Sequence, residues 1–274
     1  MTDLIQYVPA LILLLVIGAF AGVMAGLLGV GGGIILVPAF YYAFDALGYS
    51  GDQLMQVCLA TSLATIIVTS MRSVSSHHKK GAVEWDILKK WAPGIAVGAV
   101  LGMLTVSSLR SSTLQGIFGF LGIFIGFYMA FGKATWRLGD EMPSGLKRIA
   151  ISPFVGFLSV LMGIGGGSFG VPLMSLHGIA IHRAVATAAG FGVIIAFPSV
   201  IGFLFVDVAA DSAPPFTLGA VNIPAFLVVI SMTLITAPIG AKLAHRLDAK
   251  MLKRIFAVFL IVVATNMLRK AAGY

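Results

Sequence analysis

The chain carries, at residues 29–38, the stretch GVGGGIILVP, and at residues 163–172 the closely similar stretch GIGGGSFGVP. Each has three consecutive glycines followed five residues later by a proline, and corresponding positions lie 134 residues apart. A long motif that recurs once at a fixed distance indicates a duplicated unit. These two glycine-rich stretches therefore predict a protein built from two related halves.

Further matches extend the duplication over most of the chain. Gly81-Ala-Val83 matches Gly219-Ala-Val221 at a distance of 138 residues, and Ala60-Thr61 matches Ala186-Thr187 at 126 residues. The order of the matches is the same in both halves, and the distance changes only between them, as expected for duplicated helices joined by loops of different length. We divide the chain into an N-terminal repeat, an inter-repeat loop and a C-terminal repeat, at residues 1–132, 133–147 and 148–274.

The composition places the chain in a membrane. Of its 274 residues, 59% are hydrophobic and 10% are charged, and the mean hydropathy is +1.03, whereas soluble domains contain about 25% charged residues. Val8–Leu28 has no charge over 21 residues, close to the ~20 that a helix needs to cross a bilayer. A soluble enzyme is excluded, and the single Cys58 excludes an intrachain disulfide and a cysteine-built metal site.

Charges and turn residues divide each half into five helical elements. Elements two and seven, at 34–47 and 168–181, are short: fourteen residues reach only ~21 Å, so each is either re-entrant or crosses with the help of a glycine turn. Each half then crosses the membrane three or five times, and an odd number makes the second half inverted. The predicted fold is all-α and integral to the membrane, with two inverted repeats of five elements and a glycine-rich break between elements one and two. The remaining elements are predicted at 8–28, 53–77, 87–108, 112–132, 148–163, 183–206, 222–244 and 250–270.

Basic residues give an independent test of the inversion, because short cytoplasmic loops are rich in Lys and Arg. The predicted cytoplasmic loops hold 15 of the 18 basic residues. The loop around Lys79-Lys80 and its counterpart at 207–211 carry opposite charge, which inverted repeats require. We predict a multi-pass protein of the cell membrane with both termini on the extracytoplasmic side. The four basic loops are 72–90, 133–148, residue 183 and 242–254.

Inverted repeats with broken helices are typical of secondary transporters, in which helix ends form the substrate site. Glycine triplets expose backbone N–H groups and lead into helix N-termini, which favour anions. Hydroxyls at matched positions of the next helix are candidate donors. Alternatively, the glycines serve only a tight turn and close packing, and the hydroxyls only hold helices together. The candidate substrate-binding residues are Gly31, Gly32, Gly33, Ile34, Thr61, Ser62, Gly165, Gly166, Gly167, Ser168 and Thr187.

The paired Gly-x-Gly-Gly-Gly-(x)4-Pro motifs, Gly29 to Pro38 and Gly163 to Pro172, resemble those of the TauE/SafE sulfite exporter family of bacterial permeases. The resemblance covers nearly the whole chain, and Ala186-Thr187 strengthens it. It implies a permease of the cell inner membrane for sulfite, sulfoacetate and related anions. The chain departs from symmetry where Ala188-Ala189 replaces the Ser62-Leu63 of the first repeat, so any hydroxyl contribution is asymmetric.

These observations favour a transporter that exports its substrate over the other function classes. The alternative is an anion channel with the same helix-end site. An enzyme is not expected, because the sequence shows no nucleophile and base pattern or paired carboxylates within its apolar segments. The expected partners are a small anionic substrate and the lipid bilayer. We expect no cofactor, no metal and no nucleic acid, and no sequence feature supports a homo-oligomer.

Overall fold

The computed structural model describes residues 8–28, 32–132, 136–244 and 249–273. Within these residues the chain forms ten helices and one two-stranded hairpin. The helices of the first half are α1 (Val8–Leu28), α2 (Gly33–Ala46), α3 (Leu54–Lys79), α4 (Trp85–Ser108) and α5 (Ser111–Phe131). Those of the second half are α6 (Gly145–Leu161), α7 (Gly167–Leu176), α8 (Ile181–Phe203), α9 (Ile223–Ala244) and α10 (Ala249–Ala271), with β1 (Thr217–Leu218) and β2 (Val221–Asn222) between α8 and α9.

The predicted all-α membrane fold is confirmed, since the described residues are almost entirely helical and five helices are long and apolar enough to cross a membrane. These five are α3, α4, α5, α8 and the first 18 residues of α9. The glycine-rich stretches lie, as predicted, between the first and second helix of each half. The inversion of the halves relative to the membrane and the division at 133–147 stay predictions.

Element seven differs most from its predicted range, because α7 ends at Leu176 and not at 181. The backbone N–H groups of His177 and Gly178 bond to the carbonyls of Met174 and Ser175. Gly178 has φ +84°, a left-handed conformation that glycine adopts readily and that ends many helices. The second half therefore has a shorter second helix than the first, by four residues. Smaller differences are the start of α6 at Gly145, not 148, and the hairpin, which was not predicted.

Helices α3 and α8 form the centre of the fold. In their most apolar windows 78% and 61% of residues are buried, against 33–39% in α4, α5 and α9, and the two helices pack against each other. They are the third helices of the two halves. The duplicated chain thus places one helix of each half side by side in the core.

The outer helices exchange partners between the halves. Helix α1 packs on α9, its counterpart α6 packs on α4, and α5 packs on α10. Glycines make these contacts close: a Cβ atom on Gly98 of α4 would collide with the carbonyl oxygen of Pro153, and one on Gly240 of α9 with that of Val23. Small residues allow this approach of helix backbones in membranes. Each half therefore completes the packing of the other.

Topology can be tested by labelling single cysteines in a Cys58→Ala background. We expect an impermeant maleimide to label Ser50→Cys and Ala210→Cys in intact cells, but to label Lys80→Cys and Ser144→Cys only after permeabilisation. All four positions are exposed, so protection reports the side of the membrane. The physical reason is the retention of basic loops in the cytoplasm. Labelling of Lys80→Cys and Ala210→Cys from the same side would contradict the inverted repeat.

Candidate functional site

The two glycine-rich stretches meet inside the protein. A Cβ atom built on Gly33 would lie 2.9 Å from the carbonyl oxygen of Gly163 and 3.0 Å from the Cα of Ile164. The side chain of Ile66 packs beside this contact, and its methyl groups approach both Gly33 and Gly165. The start of α2 therefore rests against the turn that precedes α7, with no room for a side chain at the contact.

The glycines that directly precede α2 and α7 differ in backbone conformation. Gly32 directly precedes α2 with φ +70°, whereas in the second stretch the left-handed glycine is Gly163, with φ +60°. Gly166, which precedes α7, has an ordinary helical φ of −63°. Gly166 is a glycine for another reason: a Cβ there would lie 2.7 Å from the carbonyl oxygen of Ala188 and even closer to Phe191. Gly31 lies outside the described residues.

The predicted hydroxyls of the third helices have partners within the protein. The Oγ1 of Thr61 accepts a hydrogen bond of 3.0 Å from the backbone N–H of Asn222, and the Oγ1 of Thr187 accepts one of 2.9 Å from that of Glu84. The Oγ of Ser62 donates to the carbonyl of Gly163 at 2.7 Å. All three side chains are fully buried. These residues connect the halves, and the hydroxyl hydrogen of Ser62 is engaged in its bond to the second glycine-rich stretch.

The two threonine bonds are equivalent under the duplication. Thr61 and Thr187 are 126 residues apart, while their donors Glu84 and Asn222 are 138 apart, which is the distance between the two Gly-Ala-Val motifs. Each threonine binds the residue just before the fourth helix of the opposite half. Glu84 is fixed further by an ion pair with Arg183 at 2.5 Å. Sequence reasoning found the threonines but not these donors, although the matched distances contained the signal.

Ser168 differs from the other candidate hydroxyls. It lies in the first turn of α7 with 6% of its surface exposed, and its Oγ has no hydrogen-bond partner among the described residues. Ile34 occupies the matching position at the start of α2. Each of these residues is four positions before a proline, Pro172 or Pro38, which cannot donate to the carbonyl of the earlier residue. Of these two helix starts, that of α7 offers an unpartnered hydroxyl among the described residues, and that of α2 does not.

A cavity of about 420 Å³ extends from Ser168 along α7. It is bounded by one face of α7, the facing side of the end of α5 and the residues around the start of α8. Trp136 and Arg137 of the inter-repeat loop line it as well. The guanidinium of Arg137 donates to the carbonyl of Ser175 at 2.9 Å, and the N–H of Leu138 donates to that of Leu176 at 2.7 Å. The basic loop is thus fastened to the end of α7, and sequence reasoning missed this cavity.

Polar side chains contact one another in the corresponding region of the first half. Lys270 of α10 lies 2.6 Å from the Asp45 carboxylate of α2 and 4.9 Å from the centre of the Tyr41 ring. Asn266 donates to the hydroxyl of Tyr42 at 2.7 Å. Both members of the ion pair are about one-third exposed. Polar side chains therefore satisfy one another between α2 and α10, whereas a cavity lies between α7 and α5.

Buried helix starts at the centre of a helical membrane protein are typical of transporters with interrupted helices. Comparison with known proteins identifies the group within this class. The model of the family described as sulfite exporter TauE/SafE matches residues 14–267. The chain belongs to this family, which consists of membrane transporters and not of enzymes.

Relatives of similar length come from bacteria and an archaeon, and each is named a probable membrane transporter protein. The relative from Haemophilus influenzae is 31% identical over 95% of this chain and 98% of its own. Those from Methanocaldococcus jannaschii and Bacillus subtilis are 26% and 25% identical, over 96% and 94% of this chain and 97% of their own lengths. No solved structure matches the chain significantly.

Alanine substitutions of the adjacent glycines Gly165 and Gly166 should affect the stability of the protein differently. We expect Gly166→Ala to destabilise the protein by about 1–3 kcal/mol, the usual cost of overpacking, because the new Cβ meets the Ala188 carbonyl and Phe191. Gly165→Ala is the matched control: its nearest neighbour is a methyl group of Ile66 at 3.3 Å, so the change should be small. Thermal unfolding of the purified variants in detergent measures the difference. Equal losses would contradict the described packing around Gly166.

Proposed function

We propose that this protein is a secondary transporter of the cell inner membrane that exports small sulfur-containing anions, such as sulfite or organosulfonates. The substrate site comprises the helix starts at Gly32, Gly33 and Ile34 and at Gly165–Gly167 and Ser168. Thr61, Ser62 and Thr187 support it by holding the two halves together. Both termini lie on the extracytoplasmic side.

The observation that carries this proposal is the burial of the start of α2 against the turn that leads into α7, together with an unpartnered hydroxyl in the first turn of α7. The first N–H groups of a helix have no acceptor within the helix, and together with the helix dipole they favour an anion. The Oγ of Ser168 adds a donor at the same place. Membership of a sulfite exporter family supports an anion as the substrate.

The two helix starts carry no full positive charge of their own. Neither glycine-rich stretch, at 29–38 or 163–172, contains a charged residue. Backbone and hydroxyl donors hold an anion less firmly than an arginine pair would. Such binding suits a protein that must release its substrate on the other side, because a permeating ion must bind strongly enough to enter and weakly enough to leave.

A channel with the same helix-end site is the second candidate. The cavity is lined by the start of α7, whereas the Asp45–Lys270 pair lies in the corresponding region of the other half. Such a difference between the halves favours a transporter over a continuous pore. Saturable, slow flux in proteoliposomes supports transport, whereas single-channel currents in planar bilayers would support the channel.

The membrane potential alone can drive export of a monoanion. Moving one negative charge outward through ~100 mV yields ~2.3 kcal/mol, equivalent to about a 50-fold gradient at ~1.4 kcal/mol per tenfold. All ten acidic residues lie in predicted loops or near helix ends, whereas proton-coupled carriers place ionisable relays inside the bundle. We therefore propose uniport without a coupling ion.

Proteoliposomes with a potassium–valinomycin potential test this mechanism. We expect labelled sulfite or methanesulfonate to move toward the positive side, with no imposed pH or sodium gradient and at a rate above that of protein-free liposomes. Flux that ignores the potential and follows a proton or sodium gradient would contradict uniport. Asp45, Asp52 and Asp207 would then be the first carboxylates to neutralise.

A further inference from the structure

We propose that the cavity between α5 and α7 is the substrate-binding site and that it takes an organic sulfonate, a sulfonate head on a short apolar chain. The proposal rests on the proposed anion transport and adds the position and the class of the ligand. The head binds at Ser168 and the first turn of α7. The apolar chain lies along Val171 and Met129.

The inner end of the cavity offers hydrogen-bond donors and little else that is polar. Ser168 lines the cavity and is 6% exposed, and its Oγ is buried without a partner among the described residues. Gly167 beside it contributes backbone to the lining. A buried hydroxyl without a hydrogen-bond partner is unfavourable. A ligand that accepts a hydrogen bond from it removes this cost. A sulfonate has three acceptor oxygens and one negative charge, which suits a hydroxyl next to a helix N-terminus.

The middle of the cavity is apolar. Val171 and Pro172 of α7 face Ile125 and Met129 of α5. A bare inorganic oxyanion would leave most of this volume unfilled, because 420 Å³ is more than ten times the ~30 Å³ that one water occupies. A chain of a few CH₂ groups fills the space and gains from leaving water. The lining therefore favours an organic sulfonate over sulfite.

The outer end is polar again. Ser175 lies seven residues after Ser168, about 10 Å farther along the helix, and its Oγ is likewise buried without a partner among the described residues. Tyr128 and Arg137 line the cavity near it. This end therefore suits a terminal polar group or ordered water, and limits the apolar chain to the length between the two serines.

A chain-length series tests the class of ligand. We expect the affinity of the purified protein, measured by calorimetry, to rise about fourfold for each added CH₂ from methanesulfonate to butanesulfonate, as burial of ~0.8 kcal/mol per CH₂ implies. Sulfite should bind more weakly than butanesulfonate. Equal or tighter binding of sulfite would overturn the proposal while leaving anion transport intact. If neither sulfite nor any sulfonate binds or is transported, the proposed function itself fails.

Variants locate the ligand within the cavity. Ser168→Ala should weaken all the sulfonates by about tenfold, because it removes a hydrogen bond to a charged group. Val171→Phe should weaken butanesulfonate but not methanesulfonate, because it fills only the apolar middle. Ser159→Ala is the matched control, since the buried Ser159 hydroxyl bonds to the carbonyl of Val155 within its own helix, and it should change no affinity. Unchanged binding in both Ser168→Ala and Val171→Phe would place the ligand elsewhere and overturn the proposal.

A separate observation leads to a second proposal, that Lys270 contacts the substrate anion in the first half. The end of α2 matches the end of α7: Gly48 bonds to the carbonyl of Asp45 as Gly178 bonds to that of Ser175. Lys270 and Gly132 are 138 residues apart, the distance that also relates Ile117-Phe118 of α5 to Ile255-Phe256 of α10. The Asp45–Lys270 pair thus occupies the place that corresponds to the outer end of the cavity. We infer that the Asp45 carboxylate holds the position of a bound anion on Lys270.

Neutralising the carboxylate tests this role. Asp45→Asn should free Lys270 and tighten binding of methanesulfonate by several-fold, and addition of Lys270→Gln should abolish the gain. Arg110→Gln is the matched control, because the Arg110–Asp52 pair lies on the same predicted side but is more than three-quarters exposed. An unchanged affinity in Asp45→Asn, or a gain that survives Lys270→Gln, would overturn the role of Lys270 without affecting the cavity between α5 and α7.

Discussion

The contact of backbone with backbone at Gly33, Gly163 and Ile164 is the constraint on which the rest of the structure depends. It brings the start of α2 against the turn before α7, and no side chain fits between them. Because these segments occupy matching places in the two halves, one contact fixes how the halves fit together. The helix starts are then buried away from solvent, where unpaired N–H groups have strong electrostatic effects.

The reciprocal threonine bonds extend this constraint to the helices around it. Each threonine lies on a central helix, and its oxygen accepts a hydrogen bond from the backbone N–H of the residue before the fourth helix of the opposite half. The fourth helices in turn hold the first helices of the opposite half, α9 with α1 and α4 with α6. The position of the site is therefore maintained by contacts that cross between the halves, and neither half contains a complete site alone.

Much of the architecture was predictable, because charges and glycines mark the helix ends. Nine of the ten helices lie within a few residues of their predicted ranges. The tenth, α7, ends before its predicted end, because Gly178 was not recognised as a residue that terminates the helix. The site was less predictable. The glycine motifs identified the helix starts and the matched positions identified Thr61 and Thr187, but sequence reasoning did not predict that their oxygens accept hydrogen bonds from backbone N–H groups of the other half. The cavity was not predicted at all, because its volume depends on how α5 and α7 are spaced, which no single segment encodes.

The exchange of partners between the halves has a consequence for biosynthesis. Helix α1 packs on α9, which begins only at Ile223. Helix α1 therefore leaves the ribosome well before its partner is synthesised. At about 5–20 residues per second, the wait for this partner lasts on the order of 10–40 s. During that time the face of α1 that contains Gly18 and Gly22 has to be covered by lipid or by an insertion factor. The packing of α1 is therefore completed late in translation and not when α1 enters the membrane.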